Sequence, residues 1–374
     1  MRRKRKKNFT KFILLIVFLL CVFILPDSIN QKRLEPSDIE VKQDPVQQEV
    51  EEKQPERLIS VSFGGDVMMD SYFADYIHTY GVDYSWTDIT PLLKQSDISV
   101  VNLETSVSDR GKTYKAEGYG FRSQPFTLEG LANADVDLVS LANNHTYDFG
   151  TTAFLDTLSH LHDYGIEYCG AGKNLEEAMS LKIIQRNDLR VGFLNFSEII
   201  PSRHFLAGED KPGIASILKD DYDQVFETIN TAKQNCDLLI VLLHWGVEYS
   251  DTPEEYQIDL AHQIIDHGAD ALIGHHPHVL QGIEIYKEKP ILYSIGNFIF
   301  LKRNDQAGKT ALFELNFNAD KFQGGSFYPI HIKHCKANLL KDEDAMKSEI
   351  IHHMIELSKP FETTITEQGV ILRK

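Results

Sequence analysis

The chain has 374 residues, of which 42% are hydrophobic, and a formal net charge of −17. This length allows a substantial apolar core, and the acidic balance disfavours nucleic acid as a partner because the phosphate backbone would be repelled. The cysteines have no CxxC spacing, and three of them follow the N-terminal apolar run, which argues against a disulfide framework and a thiolate zinc site. We expect Cys169, Cys236 and Cys335 to be buried as small hydrophobic residues.

The N-terminus has the pattern of a membrane-targeting segment. Six consecutive basic residues, 2–7, precede an apolar run over residues 12–25. The run is short for a spanning helix and similar in length to the core of a signal peptide. No small-x-small cleavage site follows it, and Leu20 before Cys21 does not fit lipoprotein processing. We therefore predict an uncleaved single-pass anchor over residues 9–26, with the basic end in the cytoplasm and the rest of the chain outside the cell.

Four segments are predicted along the chain. Residues 1–26 form the basic tail and the anchor. Residues 27–57 are rich in Glu, Gln, Lys, Asp and Pro and are predicted to be a disordered stalk, because they cannot bury enough apolar surface to fold. Residues 58–300 are predicted to form the main globular domain, and residues 301–374 to add strands and a tail that complete or flank it.

Strand-like and helical patterns alternate through the globular part. Runs rich in Val, Ile and Leu predict strands at 58–63, 98–101, 138–141, 191–195, 238–243, 271–273 and 291–294. Helical spacing of apolar residues predicts helices over 149–164, 222–234 and 256–267. This alternation predicts a layered α/β domain. Strand-like runs with little helix between them predict a second, more antiparallel sheet or flap at 283–286, 311–317 and 327–333.

Polar clusters follow five of these strands. The clusters are Gly65-Asp66, Asn102-Leu103-Glu104, Asn143-Asn144-His145, His244-Trp245-Gly246 and the sequence GHHPH at 274–278. Buried parallel strands place ligand-binding groups beyond their carboxyl ends, so the five ends could converge on one crevice. Carboxylate, amide and imidazole groups in one crevice predict a metal site.

Three of the clusters, and Asp148 after a fourth, also have a simpler interpretation. Asp66 could belong to an ordinary turn after its glycines, and Glu104 could cap a following helix. His244 could be a core histidine whose hydrogen bonds are satisfied. Asp148 could either orient His145 or cap the next helix.

The GHHPH sequence is the most specific of the clusters. If it is extended, His276 and His278 project to the same side, as capture of one metal ion or a pair requires, and His275 points the other way and supports the site from behind. The absence of thiolate among the predicted ligands favours manganese, iron or zinc over copper. One or two such divalent ions would activate water and hold a phosphoryl or acyl oxygen.

Six motifs in order resemble the CapA family of bacterial capsule synthesis proteins. They are GGDVMMD at 64–70, VNLE at 101–104, SLANNHTYDFG at 140–150, HWGVEY at 244–249, GHHPHVLQGIE at 274–284 and YSIGNFIF at 293–300. The resemblance implies a fold like that of the calcineurin-like metallophosphatases, a layered α/β/β/α sandwich. It also implies a role in synthesis and export of poly-γ-glutamate, an anionic polymer, beside a poly-γ-glutamate ligase and membrane subunits.

The same resemblance implies roles for individual residues. Asp66 and His278 would bind a first metal ion, Glu104 would bridge two ions, and His145 would donate a proton to a leaving group. The remaining ligands, which would bind the second ion, are Asn144, His244 and His276. Three more residues are predicted to support the ligands: Asn143, Asp148 and His275.

Two positions differ from the phosphatase pattern. Met68 stands two residues after Asp66, where the phosphatases have a histidine, and Glu104 replaces their bridging aspartate. Three hypotheses therefore stand side by side: a cell-surface subunit of capsule synthesis, a metal-dependent hydrolase of phosphoester or amide bonds, and a scaffold that keeps only the fold.

Overall fold

The computed structural model describes residues 58–113, 120–301, 304–319 and 321–373. The predicted anchor at 9–26 and the predicted stalk at 27–57 lie outside these ranges. Within the ranges, no helix combines the length and the apolar character that crossing a membrane requires.

Strands and helices alternate through most of the described chain, and each predicted strand and helix has a counterpart. The strands are β1 (Ile59–Val67), β2 (Ile98–Leu103), β3 (Ser106–Val107), β4 (Arg122–Ser123), β5 (Leu138–Ser140), β6 (Glu167–Cys169), β7 (Ala171–Gly172), β8 (Lys182–Arg186), β9 (Leu189–Ser197), β10 (Gly213–Ile214), β11 (Leu238–His244), β12 (Ala271–His275), β13 (Ile283–Tyr286), β14 (Lys289–Leu292), β15 (Asn297–Ile299), β16 (Lys309–Phe317), β17 (Phe322–Lys333), β18 (Lys336–Leu339) and β19 (Val370–Ile371). The α-helices are α1 (Ser71–Tyr80), α2 (Thr90–Leu93), α3 (Leu128–Asn133), α4 (Gly150–Asp163), α5 (Leu175–Ala178), α6 (Tyr222–Lys233), α7 (Glu255–Asp266) and α8 (Ala345–Ser358).

The larger sheet combines parallel and antiparallel strands. Its order is β18-β17-β16-β1-β2-β5-β6, with β15 also beside β1 and β19 beside β17. Strands β1, β2, β5 and β6 are parallel, whereas β16, β17 and β18 are antiparallel to their neighbours. The separate antiparallel sheet or flap predicted at 283–286, 311–317 and 327–333 was therefore wrong. The first run is β13 of the smaller sheet, whereas the other two are β16 and part of β17. Strands β16 and β17 extend the larger sheet, because the edge of β1 that β2 leaves open forms backbone hydrogen bonds with β16.

The smaller sheet is parallel at its centre. Its order is β13-β14-β12-β11-β9-β8. Strands β14, β12, β11 and β9 are parallel, and antiparallel β13 and β8 form the two edges. Along β11 the side chains alternate between two cores: Ile240 and Leu242 face the larger sheet, and Val241 and Leu243 face helices. This strand is apolar throughout because both of its faces are covered.

Three apolar layers hold the elements together. The middle layer lies between the two sheets and includes Phe313 of β16 and Ile273 of β12. On the far side of the larger sheet, Phe73 of α1 and Phe154 of α4 pack against it. On the far side of the smaller sheet, α6 and α7 pack through residues such as Ile264. The order is thus helix, sheet, sheet, helix, and the predicted α/β class is confirmed.

The cysteines within the described ranges follow the prediction. Cys169, Cys236 and Cys335 are buried and have free thiols. Burial raises the pKa of Cys236 to about 11 and that of Cys335 to about 12. Both thiols therefore stay protonated at neutral pH, which makes them poor nucleophiles and poor metal ligands.

Candidate metal centre

The predicted ligands meet where the carboxyl ends of the two sheets lie side by side. Glu104 directly follows β2, and Asn144 follows β5. From the smaller sheet, His244 is the last residue of β11, and His276 and His278 follow β12. All of these side chains are buried. Parallel strands of two packed sheets thus deliver their polar ends to one place.

Asp66 reaches the same place from inside a strand. Because β1 continues through Val67, the simpler interpretation of Asp66 as part of an ordinary turn does not hold. The register of β1 with β2 shifts between Gly64 and Asp66, and the Asp66 amide donates to the Gly296 carbonyl at 3.0 Å. A Cβ atom on Gly65 would lie 1.9 Å from that carbonyl oxygen. Glycine is therefore needed for the close approach of the two backbones.

Two overlapping groups of ligand atoms share Glu104. One group contains Asp66, Glu104 and His278, and the other contains Glu104, His244 and His276. Within each group, one ligand atom per residue lies within 4.8 Å of the others. Glu104 Oε1 is 3.8 Å from His244 Nε2 and 3.9 Å from His278 Nε2. A carboxylate shared in this way can bridge two divalent cations.

The two histidines after β12 lie in a turn. The predicted extended geometry was wrong, because β12 ends at His275 and His276 and His278 have φ values of 97° and 59°. Both rings nevertheless reach the ligand groups. A positive φ in a residue other than glycine costs roughly 1–3 kcal/mol and persists only where the surroundings fix it, as they do at functional sites.

The surroundings keep two of the histidines neutral. Burial, with repulsion from His276, holds the pKa of His244 well below its ordinary value. Burial, with the nearby His278, lowers the pKa of His276 to about 3. Neutral imidazole is the form that binds a metal ion. Nδ1 of His276 is also buried without a hydrogen-bond partner among the described residues, which is costly unless the ring has another role.

Asp66 and His278 form a buried ion pair in the other group. His278 Nδ1 lies 3.1 Å from Asp66 Oδ2 and 2.9 Å from Asn297 Oδ1. Burial acts to lower the pKa of His278, but the hydrogen bond to Asp66 outweighs it and the pKa is raised. Burial acts to raise the pKa of Asp66, but the contact with His278 outweighs it and the pKa is lowered. Since both neighbours of Nδ1 are acceptors, Nδ1 carries a hydrogen, and Nε2 is the nitrogen that can bind a cation.

Asn102 connects the two groups; it lies in one of the predicted polar clusters, but no role was predicted for it. Its Nδ2 donates to Asp66 Oδ1 at 2.8 Å and lies 3.4 Å from His244 Nδ1. Its Oδ1 accepts from Ser140 Oγ at 3.0 Å and from Asn143 Nδ2 at 3.1 Å. A buried amide in an apolar strand needs partners, so an asparagine within β2 was the signal available in the sequence.

Asn297 supports His278 in a similar way and was also missed. Besides its contact with the ring, its Nδ2 donates to the His278 carbonyl at 3.2 Å and to the Ala307 carbonyl at 3.1 Å. The residue lies in the YSIGNFIF motif between buried apolar neighbours. A second asparagine in an apolar run was therefore the available signal.

His145 and Asp148 form a hydrogen-bonded pair beside the ligand groups. His145 Nδ1 is 2.7 Å from Asp148 Oδ2, and its Nε2 is 3.8 Å from Glu104 Oε1. The Phe121 amide also donates to Asp148 Oδ2 at 2.9 Å, and the Phe121 ring stacks on the imidazole with centroids 4.1 Å apart. Asp148 therefore orients His145, and the N-cap residue of α4, Phe149, makes no side-chain capping hydrogen bond. An oriented imidazole next to a metal centre has the geometry of a proton donor.

The amides of the loop after β5 have separate tasks. Asn144 Oδ1 lies 2.8 Å from His244 Nε2, so that both atoms can face one cation. Asn143 Oδ1 accepts from the His145 amide at 3.1 Å and shapes the loop from behind.

His275 is buried on β12 beside His244 of β11 and belongs to neither ligand group. All six predicted ligands are thus close together, and the three supporting residues surround them. Ligation by each residue stays a prediction.

The chain was compared with known proteins. The family model of the bacterial capsule synthesis protein PGA_cap matches residues 60–302. Capsule biosynthesis protein CapA of Bacillus anthracis is 30% identical over 302 residues, which cover 80% of this chain and 70% of that protein. PGA biosynthesis protein CapA of Bacillus subtilis strain 168 is 29% identical over 300 residues, which cover 79% and 78%.

Solved structures were compared as well. NAD nucleotidase of Haemophilus influenzae aligns with a TM-score of 0.41 and 13% identity, covering 79% of this chain and 63% of that one. The family match includes every motif from which the resemblance to CapA proteins was inferred. The chain therefore belongs to the PGA_cap family of bacterial capsule synthesis proteins.

Proposed function

We propose that this protein is a metal-binding subunit of poly-γ-glutamate capsule biosynthesis that acts at the outer face of the cell membrane. The family and the names of its relatives support the role in capsule synthesis. The observation that carries the metal-binding part is the pair of buried ligand groups joined by Glu104. Both groups lie inside the segment that the family model matches.

The place of action is proposed from the N-terminal sequence. Residues 2–7 are basic and residues 12–25 are apolar, which favours an anchor at 9–26 with the remaining chain outside the cell. The polymer would be made by a separate ligase with membrane subunits, and this chain would meet the anionic product outside. With a net charge of −17, the chain needs a locally positive place for such a product. Divalent cations at the shared carboxylate would supply it.

The residues fit a divalent cation. Two carboxylates, one amide and three imidazoles suit manganese, iron or zinc. The neutral His244 and His276 need not release a proton on binding. A bound cation would withdraw electrons from a ligated oxygen and lower the pKa of bound water. The protein would contribute rigid ligand positions, through Asn102 and Asn297, and a proton donor in His145.

A hydrolase is the second candidate function, and the His145–Asp148 pair favours it. Asp148 holds Nδ1 of the ring at 2.7 Å, which leaves Nε2, 3.8 Å from Glu104, to give a proton to a leaving group. A scaffold that only binds has no need for such a pair. The bond cleaved would be a phosphoester or an amide.

A genetic experiment tests the capsule role. The gene is deleted while the ligase and membrane subunits are kept, and surface polymer is measured by amount and length. We expect the polymer to be lost and a wild-type copy to restore it; unchanged polymer would refute the role. If a copy that carries both His276→Gln and His278→Gln restored the polymer, the metal-binding part of the proposal would be refuted and the scaffold hypothesis would remain. The matched control replaces two exposed histidines, His162 and His204, with glutamine.

Two further measurements test location and chemistry. The protein should sediment with membranes and be cleaved by protease added to intact protoplasts; protection from the protease would refute an outer location. The metal-loaded full-length protein should hydrolyse phosphoester or amide model compounds, and His145→Gln should slow this reaction. An inert metal-loaded sample would refute the hydrolase.

A further inference from the structure

A second cavity lies beside the metal centre, at the carboxyl end of β9. It has a volume of 420 Å³ and lies between the segment that leads into α6 and one face of α7. Glu198, the residue after β9, forms part of its wall. The Glu198 amide donates to the His244 carbonyl at 2.9 Å, and its Oε2 lies 3.5 Å from the Gly246 amide. The cavity wall is therefore bonded directly to the backbone of a predicted metal ligand.

The aromatic part of the wall is formed by two tyrosines. Tyr222 is the first residue of α6, and Tyr256 lies in the first turn of α7. Tyr256 donates its hydroxyl hydrogen to Glu198 Oε2 at 2.9 Å. Burial and the charge of Glu198 raise the pKa of both tyrosines, so both stay neutral. Neutral aromatic rings beside a carboxylate are the surroundings that bind an ammonium group.

Three charged side chains complete the wall, and their signs are mixed. They are Glu198, Asp259 and Lys219. None of the three forms an ion pair with another residue in the part of the chain that the structure describes. Charges of both signs around one cavity, none of them in an ion pair among the described residues, suit a ligand that itself carries both charges.

We propose that this cavity binds the amino-terminal residue of a γ-glutamyl chain, through the ammonium and the carboxylate on its α-carbon. Glu198, Asp259 and the two tyrosine rings hold the ammonium group, and Lys219 holds the carboxylate. The identity of the chain rests on the proposed function, whereas the preference for a zwitterionic α-amino acid group rests on the wall alone. A volume of 420 Å³ is in the range of small-molecule pockets and accommodates one or two residues.

The linkage of the chain explains why an end would be selected. In a γ-linked chain every residue keeps a free α-carboxylate, but only the amino-terminal residue also has a free α-ammonium on the same carbon. An internal residue would bring a lone carboxylate toward Glu198 and Asp259, which repel it. An α-linked chain end keeps its ammonium but has no free α-carboxylate for Lys219. Holding one end would set the position of the chain relative to His244 and the metal centre.

Calorimetric titration of the full-length protein tests the cavity. The probe is γ-glutamylglutamate, in both the all-L and all-D forms, with its N-acetylated derivative and α-glutamylglutamate as comparisons. We expect N-acetylation to weaken binding at least about tenfold, the worth of one charge-assisted hydrogen bond. Asp259→Asn, Glu198→Gln and Lys219→Met should each weaken it by about the same factor. The control is Glu255→Gln, which changes an exposed carboxylate on α7, the helix that also contains Asp259. This variant should leave the affinity for the dipeptide unchanged.

Several results would overturn the inference. One is that neither form of γ-glutamylglutamate binds, and another is that the N-acetylated dipeptide binds as tightly as the unmodified one. A third is that the Asp259→Asn and Lys219→Met variants, with unchanged melting temperatures, bind the dipeptide as tightly as the wild type. Repeating the titration with a chelator separates the cavity from the metal centre, since binding should persist. Loss of polymer in the deletion strain together with no dipeptide binding would remove the cavity and keep the proposed function. Dipeptide binding together with unchanged polymer in that strain would keep the cavity as a binding site and remove the proposed function.

Discussion

Replacing Glu104 by glutamine should affect both ligand groups at once. Glu104 is shared by the two groups, is completely buried, and has a ligand oxygen within 4.8 Å of one from Asp66. Two unit charges at that distance repel by about 3 kcal/mol at an effective dielectric constant of about 20. His278 beside Asp66 offsets part of this repulsion. In the metal-free protein, Glu104→Gln should therefore leave stability unchanged or raise it by about 1–2 kcal/mol.

In the presence of metal the same change should have the opposite effect. A ligand at 100 times its Kd stabilises the folded state by about 2.7 kcal/mol per site. In a domain of this size, each kcal/mol of stabilisation raises Tm by roughly 2 °C, so one occupied site raises Tm by about 5 °C. Glu104→Gln should lose most of this rise, because an uncharged amide replaces the shared carboxylate and both groups lose affinity.

The assay is thermal unfolding of the full-length protein with chelator and with added manganese or zinc, beside metal analysis of the purified protein. Glu176→Gln, which changes an exposed carboxylate on α5, is the control and should behave like the wild type in both conditions. If Glu104→Gln kept its metal content and its full rise in Tm, Glu104 would not be the shared ligand. The two-group interpretation would then be lost.

Three further predictions concern single residues. His145→Gln should lower turnover of any hydrolysed model compound by about 10²–10⁴-fold and leave metal content unchanged, as activity and metal assays on one sample would reveal. Asn102→Ala should weaken metal binding by about 10–100-fold, because Asn102 orients Asp66 and His244; titration with a metal indicator measures this. The pKa of His276 is lowered from 6.5 to about 3 in the folded protein. Below pH 6.5 the unfolded chain therefore takes up a proton on this histidine that the folded chain does not bind. The metal-free protein should lose about 2 kcal/mol through His276 between pH 6.5 and pH 5, and none above pH 6.5. Urea unfolding should reveal a smaller loss in His276→Gln, and equal losses would contradict the burial of a neutral ring.

The sequence predicts the position of the centre well because its pattern reflects a simple geometry. Parallel strands end at one edge, and Glu104 and His244 come directly after or at the end of such strands. Both strands can be recognised in the sequence from their apolar residues, since strands buried on both faces are continuously apolar. Burial of these strands and the position of polar residues at their carboxyl ends were therefore predictable, and with them the convergence of the ligands.

The exact backbone at the ligands was less predictable. Asp66 lies within β1 because the strand gains β15 and the Gly296 carbonyl as partners, and both come from residues more than 200 positions away. His276 and His278 have positive φ values that tertiary contacts fix, such as the bonds from Asn297. A local pattern contains no information about partners so distant in sequence. Asn102 and Asn297 were missed for the same reason, because their role is visible only with their partners.

The late antiparallel strands show a similar limit. Their strand character was clear from alternation, and β16 and β17 lie where it predicts them. Their sheet was not predictable, because pairing depends on which edge is free. In this fold the free edge belongs to β1, the strand that also holds Asp66. The C-terminal strands therefore stabilise the strand that delivers one predicted ligand.

We predict that the two ligand groups differ in metal affinity, because Met68 offers no ligand to the group with Asp66. Met68, two residues after Asp66, is buried in the apolar core under α1 and α4, and its sulfur accepts from the Asp70 amide at 3.4 Å. The group with Asp66 would therefore provide three protein ligands, whereas Asn144 would add a fourth to the group with His244.

More protein ligands hold a cation more tightly, so titration of the metal-free protein should yield one tight and one weaker site. Asp66→Asn should remove only the weaker site, and His244→Gln only the tighter one. Equal affinities, or loss of the tight site in Asp66→Asn, would contradict this assignment. A single remaining tight ion would still be bound next to His145 Nε2, because Glu104 belongs to both groups. A methionine at position 68 would therefore leave the weaker site with fewer ligands and keep His145 next to the tighter one.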